Sequence, residues 1–325
     1  MKPLATRVAV VAGATRGAGR GIARMLGEAG ATVYCTGRSS RGGASPTGRP
    51  ETIEETAEIV TAAGGTGIAV RVDHAADDEV AGLFERVQKD SRRLDLLVNV
   101  FTGPPATWSD FLKESPAEGR RFVEAWFWPR VVTTWYAAAL MAKRKSGLIV
   151  ELVEQPNVGY HGAFYFDVMQ TLLKRMIFGL AHDLEPSGVS AVAVGPGFMR
   201  TEAILEGFGV TEANWRDALN EPQAVAFGWG GSETPCFVGR AVAALAADPQ
   251  VSRKSGGIYT ARELADEYGF TDLNGRRPDH AVLDEATKKA MESGPLASLK
   301  RNVAHAWELR RGPTESFSVS SVSSC

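Results

Sequence analysis

The chain has 325 residues, is 44% hydrophobic and carries a formal net charge of −2. That balance argues against a nucleic-acid binder and provides enough apolar material for a substantial core. Its cysteines, Cys35, Cys236 and Cys325, lie far apart without a CxxC pair, and no run approaches a membrane span, so a reducing, cytoplasmic setting without disulfides, metal or membrane contact is expected.

The N-terminus has one Lys and then Pro3, so no signal peptide is expected. Val8–Ala12 reads as a strand, followed by a helix over 19–29 that Gly30 closes. A strand over 32–35 leads into a Gly/Pro/Ser-rich loop, 41–50, and a helix over 51–63. Next come a strand over 68–72, a helix over 77–90 and a strand over 94–98. Pro104 and Pro105 mark a long loop before a long helix, 118–145, that contains Pro129. A strand over 148–153, a helix over 165–184 and a strand over 189–194 follow, the last stopped by Gly195-Pro196-Gly197. Residues 203–231 are an insertion rich in Gly and Trp; Pro235–Ala247 is a helix and 257–260 a short strand. This alternation implies parallel strands with right-handed crossovers, and strands apolar throughout imply cover on both faces. The expected fold is α/β, a doubly wound parallel sheet with helices on both faces.

Gly13-Ala14-Thr15-Arg16-Gly17-Ala18-Gly19 sits between the first strand and the first helix. A nucleotide pyrophosphate needs a close backbone approach and a helix N-terminus, and glycines in this context supply both. An NAD-specific site usually ends its second strand with an acid; here Gly37-Arg38-Ser39-Ser40-Arg41 stands there, and an Arg pairs with a 2′-phosphate.

The chain resembles the short-chain dehydrogenase/reductase family over about residues 5–262. The matches are the Gly13–Gly19 cradle, Asp73 after the third strand, Asn99 after the fourth, and Pro196-Gly197-Phe198-Met199-Arg200-Thr201. Residues 261–277 and Thr32-Val33-Tyr34-Cys35-Thr36-Gly37-Arg38 are similar to the member-one branch of that family. The resemblance implies a Rossmann-type fold over 1–262 with a substrate lid at 203–231, a C-terminal extension over 263–315 and a disordered tail, 316–325. It also implies a cofactor site made of Gly13, Thr15, Arg16, Gly17, Gly19, Arg38, Asp73, Asn99, Gln170, Pro196, Gly197 and Thr201. Arg16 matches a basic position of NADP-preferring relatives, so NADP is the expected cofactor.

The family's catalytic Asn, Ser, Tyr and Lys are replaced. Their positions fall on Trp126, Glu154 (or Val153), Phe166 and Gln170. A one-residue shift puts Tyr165 in the Tyr place but leaves Met169 where Lys should be. Gln170 can hydrogen-bond a ribose hydroxyl; it cannot lower a phenol's pKa by charge. Lys174 lies eight or nine residues along the helix from the Tyr position, roughly 12 Å. The remaining ionisable candidates are Glu154, Tyr165 and His161, with Tyr160 and Asp167 nearby.

Trp126, Phe127 and Trp128 crowd the turn before Pro129, either narrowing a pocket or packing. The lid aromatics Phe208, Trp215, Phe227 and Trp229 suggest a bulky, mostly apolar small-molecule substrate, a partner surface, or a local core. The leading expectation is an NADP-dependent oxidoreductase with a non-standard proton donor, either Glu154, Tyr165 or water. Two rivals stand beside it: a cyclase, isomerase or dehydratase using Glu154 and His161, and a catalytically silent NADP-binding or scaffold protein. The resemblance implies a homodimer or homotetramer through the two long helices.

Overall fold

Seven apolar segments pair into one sheet: β1 (Val8–Ala12), β2 (Thr32–Gly37), β3 (Thr66–Arg71), β4 (Leu96–Asn99), β5 (Gly147–Leu152), β6 (Val189–Gly195) and β7 (Ile258–Thr260). The computed structural model describes residues 2–43, 45–104, 111–154, 163–226 and 228–278. Every pairing is parallel, in the order β3-β2-β1-β4-β5-β6-β7. The chain winds outward from β1 to β3, then crosses back to start β4 on the other side of β1. A crevice therefore opens above the C-terminal ends of β1 and β4, at the topological switch point. β1 and β6 are buried at every residue because helices cover both faces.

The helices are α1 (Gly17–Glu28), α2 (Ile53–Ala62), α3 (Asp77–Ser91), α4 (Pro116–Lys143), α5 (Phe164–Leu184), α6 (Glu202–Gly207), α7 (Pro222–Ala226), α8 (Pro235–Ala247) and α9 (Ala261–Tyr268). α1, α2, α8 and α9 bury their apolar stripes on one face of the sheet, and α3, α4 and α5 on the other. α1 and α8 cross at glycines: a Cβ on Gly239 would lie 2.6 Å from the Gly21 carbonyl oxygen.

The boundaries differ from expectation where polar groups decide them. α4 starts at Pro116 because Ser115 and Glu118 form a capping box. It runs unbroken through Pro129, which has no N–H to offer the Ala125 carbonyl. β4 starts at Leu96 because the Asp95 carboxylate accepts the Val8 N–H at 2.8 Å and pairs with Arg93 and Arg7. α1 starts at Gly17, two residues before the expected 19, and β3 at Thr66, whose N–H bonds the Ala31 carbonyl.

Of the readings open for the lid aromatics, Trp215 and Trp229 take the local core. Trp215 is 4% exposed and Trp229 fully buried; with Phe198, Leu205 and Phe208 around them they form a small core of their own. The Trp229 indole donates to the Trp215 carbonyl at 2.7 Å, so its one polar group is satisfied inside. Phe227 lies outside the described residues. Cys35 and Cys236 are buried and free, their thiols pushed up to about 12 and about 11 by burial, which fits structural rather than reactive cysteines. Cys325 and the tail 316–325 lie outside the described residues. Among the described residues no helix is long and apolar enough to cross a membrane, and no cluster of His, Cys, Asp and Glu could hold a metal.

Candidate cofactor cleft and active site

Gly13 carries φ +96° and lies against the turn after β4; a Cβ there would sit 2.5 Å from the Phe101 backbone. A Cβ on Gly19 would fall 2.0 Å from the Gly13 carbonyl oxygen. Only glycine lets the first turn of α1 close this tightly on β1. Thr15 is buried, and its hydroxyl lies 2.5 Å from where a Cβ on Gly37 would stand. No side chain of the N-cap residue, Arg16, satisfies the first N–H groups of α1. The Gly17 N–H donates instead to the Glu202 carboxylate at 2.8 Å. The helix terminus thus already holds an anion from its own chain, as the aligned peptide dipoles favour. A helix terminus whose Gly17 N–H donates to a carboxylate fits a pyrophosphate oxygen.

Past β2 the site is more crowded than its local sequence suggests. Arg16 donates to Glu51 at 3.1 Å and to the Ser39 hydroxyl at 3.2 Å. Arg49 forks onto Glu51 at 2.8 and 3.1 Å and reaches Glu206 at 2.6 Å. Arg38 is half-exposed, its guanidinium 4.0 Å from the Asp73 carboxylate. Glu51 is an acid delivered from beyond the 41–50 loop, invisible when only the end of β2 is read. Burial tends to raise its pKa, but Arg49 and Arg16 outweigh that and hold it below the ordinary carboxylate range. Asp73 caps its own turn, accepting the Ala75 N–H at 3.0 Å.

Beneath the crevice lies a buried polar layer. His74 bridges the Thr36 and Thr133 hydroxyls at 2.8 and 3.0 Å and stacks on Phe101. Burial pushes the imidazole down to about 4, so it is neutral at pH 7. The Asn99 amide donates to the Thr134 hydroxyl at 2.9 Å. Arg130, one turn after Trp126, donates to Glu151 at 2.6 Å, to the Trp126 carbonyl at 2.6 Å and to the Phe101 carbonyl at 2.5 Å. Glu151 is fully buried on β5, in register with Asn99 on β4. Burial raises its pKa to about 7, against the pull of Arg130. This pair ties α4, β5 and the turn after β4 together under the cleft.

The residues expected at the catalytic positions make contact in two pairs, Trp126 with Phe166 and Glu154 with Gln170. Trp126 and Phe166 pack edge to face, ring centroids 6.2 Å apart, and the Trp126 indole donates to the Pro104 carbonyl at 2.9 Å. Gln170 is buried, and its amide oxygen accepts the Glu154 N–H at 3.0 Å. Gln170 is therefore bonded to the end of β5 through the atom nearest in kind to a ribose acceptor. Lys174, half-buried one turn further along α5, is within electrostatic reach of Glu154 and Asp167; burial lowers its pKa and the two carboxylates raise it. Tyr165 turns toward the start of α4, where a Cβ on Gly119 would touch its ring, and it lies beside Phe111 and Phe164. His161 and Tyr160 lie outside the described residues.

The Pro196-Gly197 segment is anchored from below. The Gly197 N–H donates to the Glu233 carboxylate at 3.0 Å, while across the Met199–Glu233 bridge the Arg200 N–H donates to the Glu233 carbonyl and the Glu233 N–H to the Phe198 carbonyl. Burial pushes Glu233 up to about 8 despite that N–H. Arg200, fully buried, forks onto Glu212 and caps the Ser232 carbonyl. Thr201 packs on Gly17, its methyl 3.3 Å from where a Cβ there would stand.

Thus Gly13, Thr15, Gly17, Gly19, Asn99 and Thr201 surround one crevice, Arg16 and Arg38 flank its β2 side, and Gln170 joins Glu154 on its β5 side. Arg130, Glu151, His74, Glu51 and Glu202 were missed. A carboxylate inside the apolar run Leu148-Ile149-Val150-Glu151-Leu152-Val153 was the available signal for Glu151.

Residues 7–206 match the family model described as short chain dehydrogenase. The chain is 32% identical over 315 residues to Dehydrogenase/reductase SDR family member 1 of Mus musculus, covering 91% of this chain and 93% of that one. The Homo sapiens protein of the same name is 31% identical, with 91% and 93% covered. A 3-oxoacyl-[acyl-carrier-protein] reductase of Aquifex aeolicus is 27% identical over 60% of this chain and 75% of its own. Among solved structures, a putative dehydrogenase from Xanthomonas campestris superposes with TM-score 0.68 at 22% identity, covering 87% of this chain and 98% of that one. At that identity the likeness speaks for the fold alone.

Proposed function

The chain belongs to the short-chain dehydrogenase family, whose members are oxidoreductases of small organic substrates, and on that footing we propose an NADP-dependent oxidoreductase in which Glu154 is the proton donor. The observation that carries this reading is the cradle. Gly17 offers its N–H to an anion and touches Thr201 of the Pro-Gly segment, so both walls of a dinucleotide cleft are present and joined.

Gly13, Thr15, Gly17 and Gly19 would hold the pyrophosphate, Asn99, Pro196, Gly197 and Thr201 the nicotinamide side, and Asp73 the adenine. Gln170 keeps an amide that can meet a ribose hydroxyl. Arg16 and Arg38, with Arg49 beside them, favour a 2′-phosphate: Arg38 is half-exposed, and its carboxylate partner, Asp73, stands 4.0 Å away. Bound NADPH would supply a hydride from its nicotinamide ring.

The proton is the chain's own task. Trp126 and Phe166 fill the space of the family's Asn and Tyr with rings that hold no transferable proton. Tyr165 is engaged against Gly119. Glu154 stands at the family serine position just past the end of β5, its backbone N–H held by Gln170. A carboxyl there can hold a proton for a carbonyl oxygen. The Trp126–Phe166 wall suits a bulky, mostly apolar substrate; with Trp215 and Trp229 turned inward, the wall and not the lid core carries that part of the reading. A homodimer or homotetramer through α4 and α5 is part of the same proposal.

The test is NADPH consumption with a panel of bulky apolar ketones. Turnover is expected with the wild type, and Glu154→Gln should lose on the order of 100-fold while still binding NADPH. Tight NADPH binding without turnover on any ketone, or product formed without NADPH consumption, would contradict the proposal.

A further inference from the structure

α6, the first turn of the lid, delivers two carboxylates to the cofactor side of the molecule. Glu202 accepts the Gly17 N–H at 2.8 Å and lies 3.9 Å from the Arg20 guanidinium. Glu206, one turn on, pairs with Arg49 at 2.6 Å. Thr201, immediately before Glu202, packs directly on Gly17. The two acids stand on anion-seeking groups at both ends of the adenosine half of the cleft: the α1 N-terminus, where a pyrophosphate belongs, and the guanidinium cluster past β2.

We infer that Glu202 is an affinity determinant of the cofactor site, a carboxylate that competes with the cofactor's pyrophosphate for the α1 N-terminus. This inference rests on the dinucleotide reading of the cleft and goes beyond it. One N–H cannot serve both anions, and two like charges on the same helix terminus repel at short range. Cofactor entry therefore displaces Glu202, and because that residue begins α6, the displacement frees the first turn of the lid. Glu206 follows, since Arg49 gains a phosphate to attract it. Cofactor affinity and lid position are coupled through one side chain, and each state has an anion on Gly17: the chain's own or the ligand's.

The experiment is a fluorescence titration of the full-length protein with NADPH and NADH, which reads binding without turnover. Glu202→Gln keeps the shape and removes the charge, and Glu202→Asp shortens the reach. Glu85→Gln, exposed on α3, removes a charge of the same sign elsewhere. Both Glu202 variants should bind NADPH about fivefold or more tighter than wild type, the worth of a partly exposed charge at a helix terminus, while Glu85→Gln matches wild type. Equal or weaker binding in Glu202→Gln, with wild type binding normally, overturns this inference and leaves the dinucleotide reading standing. Absence of binding in wild type and both variants overturns the two together, and binding only in the variants supports the inference in its strongest form.

Discussion

In the proposed alignment, an amide at position 170 and a phenyl ring at 166 stand in place of the charge and the proton on which the family's usual acid depends, while the glycines proposed to seat the nucleotide remain. Gln170 is committed to the Glu154 N–H, which turns a cofactor-and-base position into a strut for the next candidate acid. The cradle was legible because its glycines answer a local steric demand, written within seven residues of sequence. Arg130 and Glu151 were not, because only the folded crossover from α4 to β5 brings them together. Removing one partner of that buried pair leaves an uncompensated charge: Arg130→Met should cost about 3–5 kcal/mol in urea unfolding, and adding Glu151→Leu should restore most of it. Failure of the second change to rescue the first would mean that the other bonds of Arg130, to the Phe101 and Trp126 carbonyls, dominate. At the β2 end, Arg38→Asp should weaken NADPH binding about tenfold or more while leaving NADH nearly unchanged, because a carboxylate repels a 2′-phosphate and welcomes a ribose hydroxyl. Equal losses for both nucleotides would remove Arg38 from the specificity site.

Helices and strands were legible wherever one periodicity ran uninterrupted, as in β1 and α8, whose expected bounds match the structure. They shifted where a polar side chain sets the end, as Ser115 does for α4 and Asp95 for β4. The lid was the least legible element, since its tryptophans look alike in sequence whether they face a ligand or each other. What holds the lid's base is Glu233, which anchors Gly197 from a fully buried site. Its folded-state pKa, about 8, lies above the ordinary 4.5, so the folded protein keeps this proton over a range in which the unfolded chain has lost it. Its stabilising contribution is full below the lower value and is lost as pH rises through the higher one. Relative to Glu233→Gln, which does not titrate, the wild type should lose about 4 kcal/mol between about pH 5 and about pH 9, read from urea midpoints. A difference that does not change with pH would show that Glu233 ionises in place without cost.

Across the whole molecule, the two long helices keep large apolar groups in solvent. On α4, Trp128 is 57% and Trp135 65% exposed, and Val168, Leu172 and Phe178 stand out on α5. Their spacing along each helix is that of a face, and such a face on one copy is what a symmetric partner covers. Trp135→Glu should shift the mass measured by light scattering toward the monomer; a wild type that is already monomeric would end the proposal of a dimer or tetramer. That this cleft passes a hydride with a carboxyl as its acid is checked by tracing deuterium from 4,4-dideuterated NADPH into the product of an accepted ketone, in wild type and in Glu154→Gln. One deuterium per product molecule is expected in the wild type, and about 100-fold slower labelling in the variant at unchanged NADPH affinity. Product that forms without deuterium, or labelling at full rate without the Glu154 carboxyl, would contradict it.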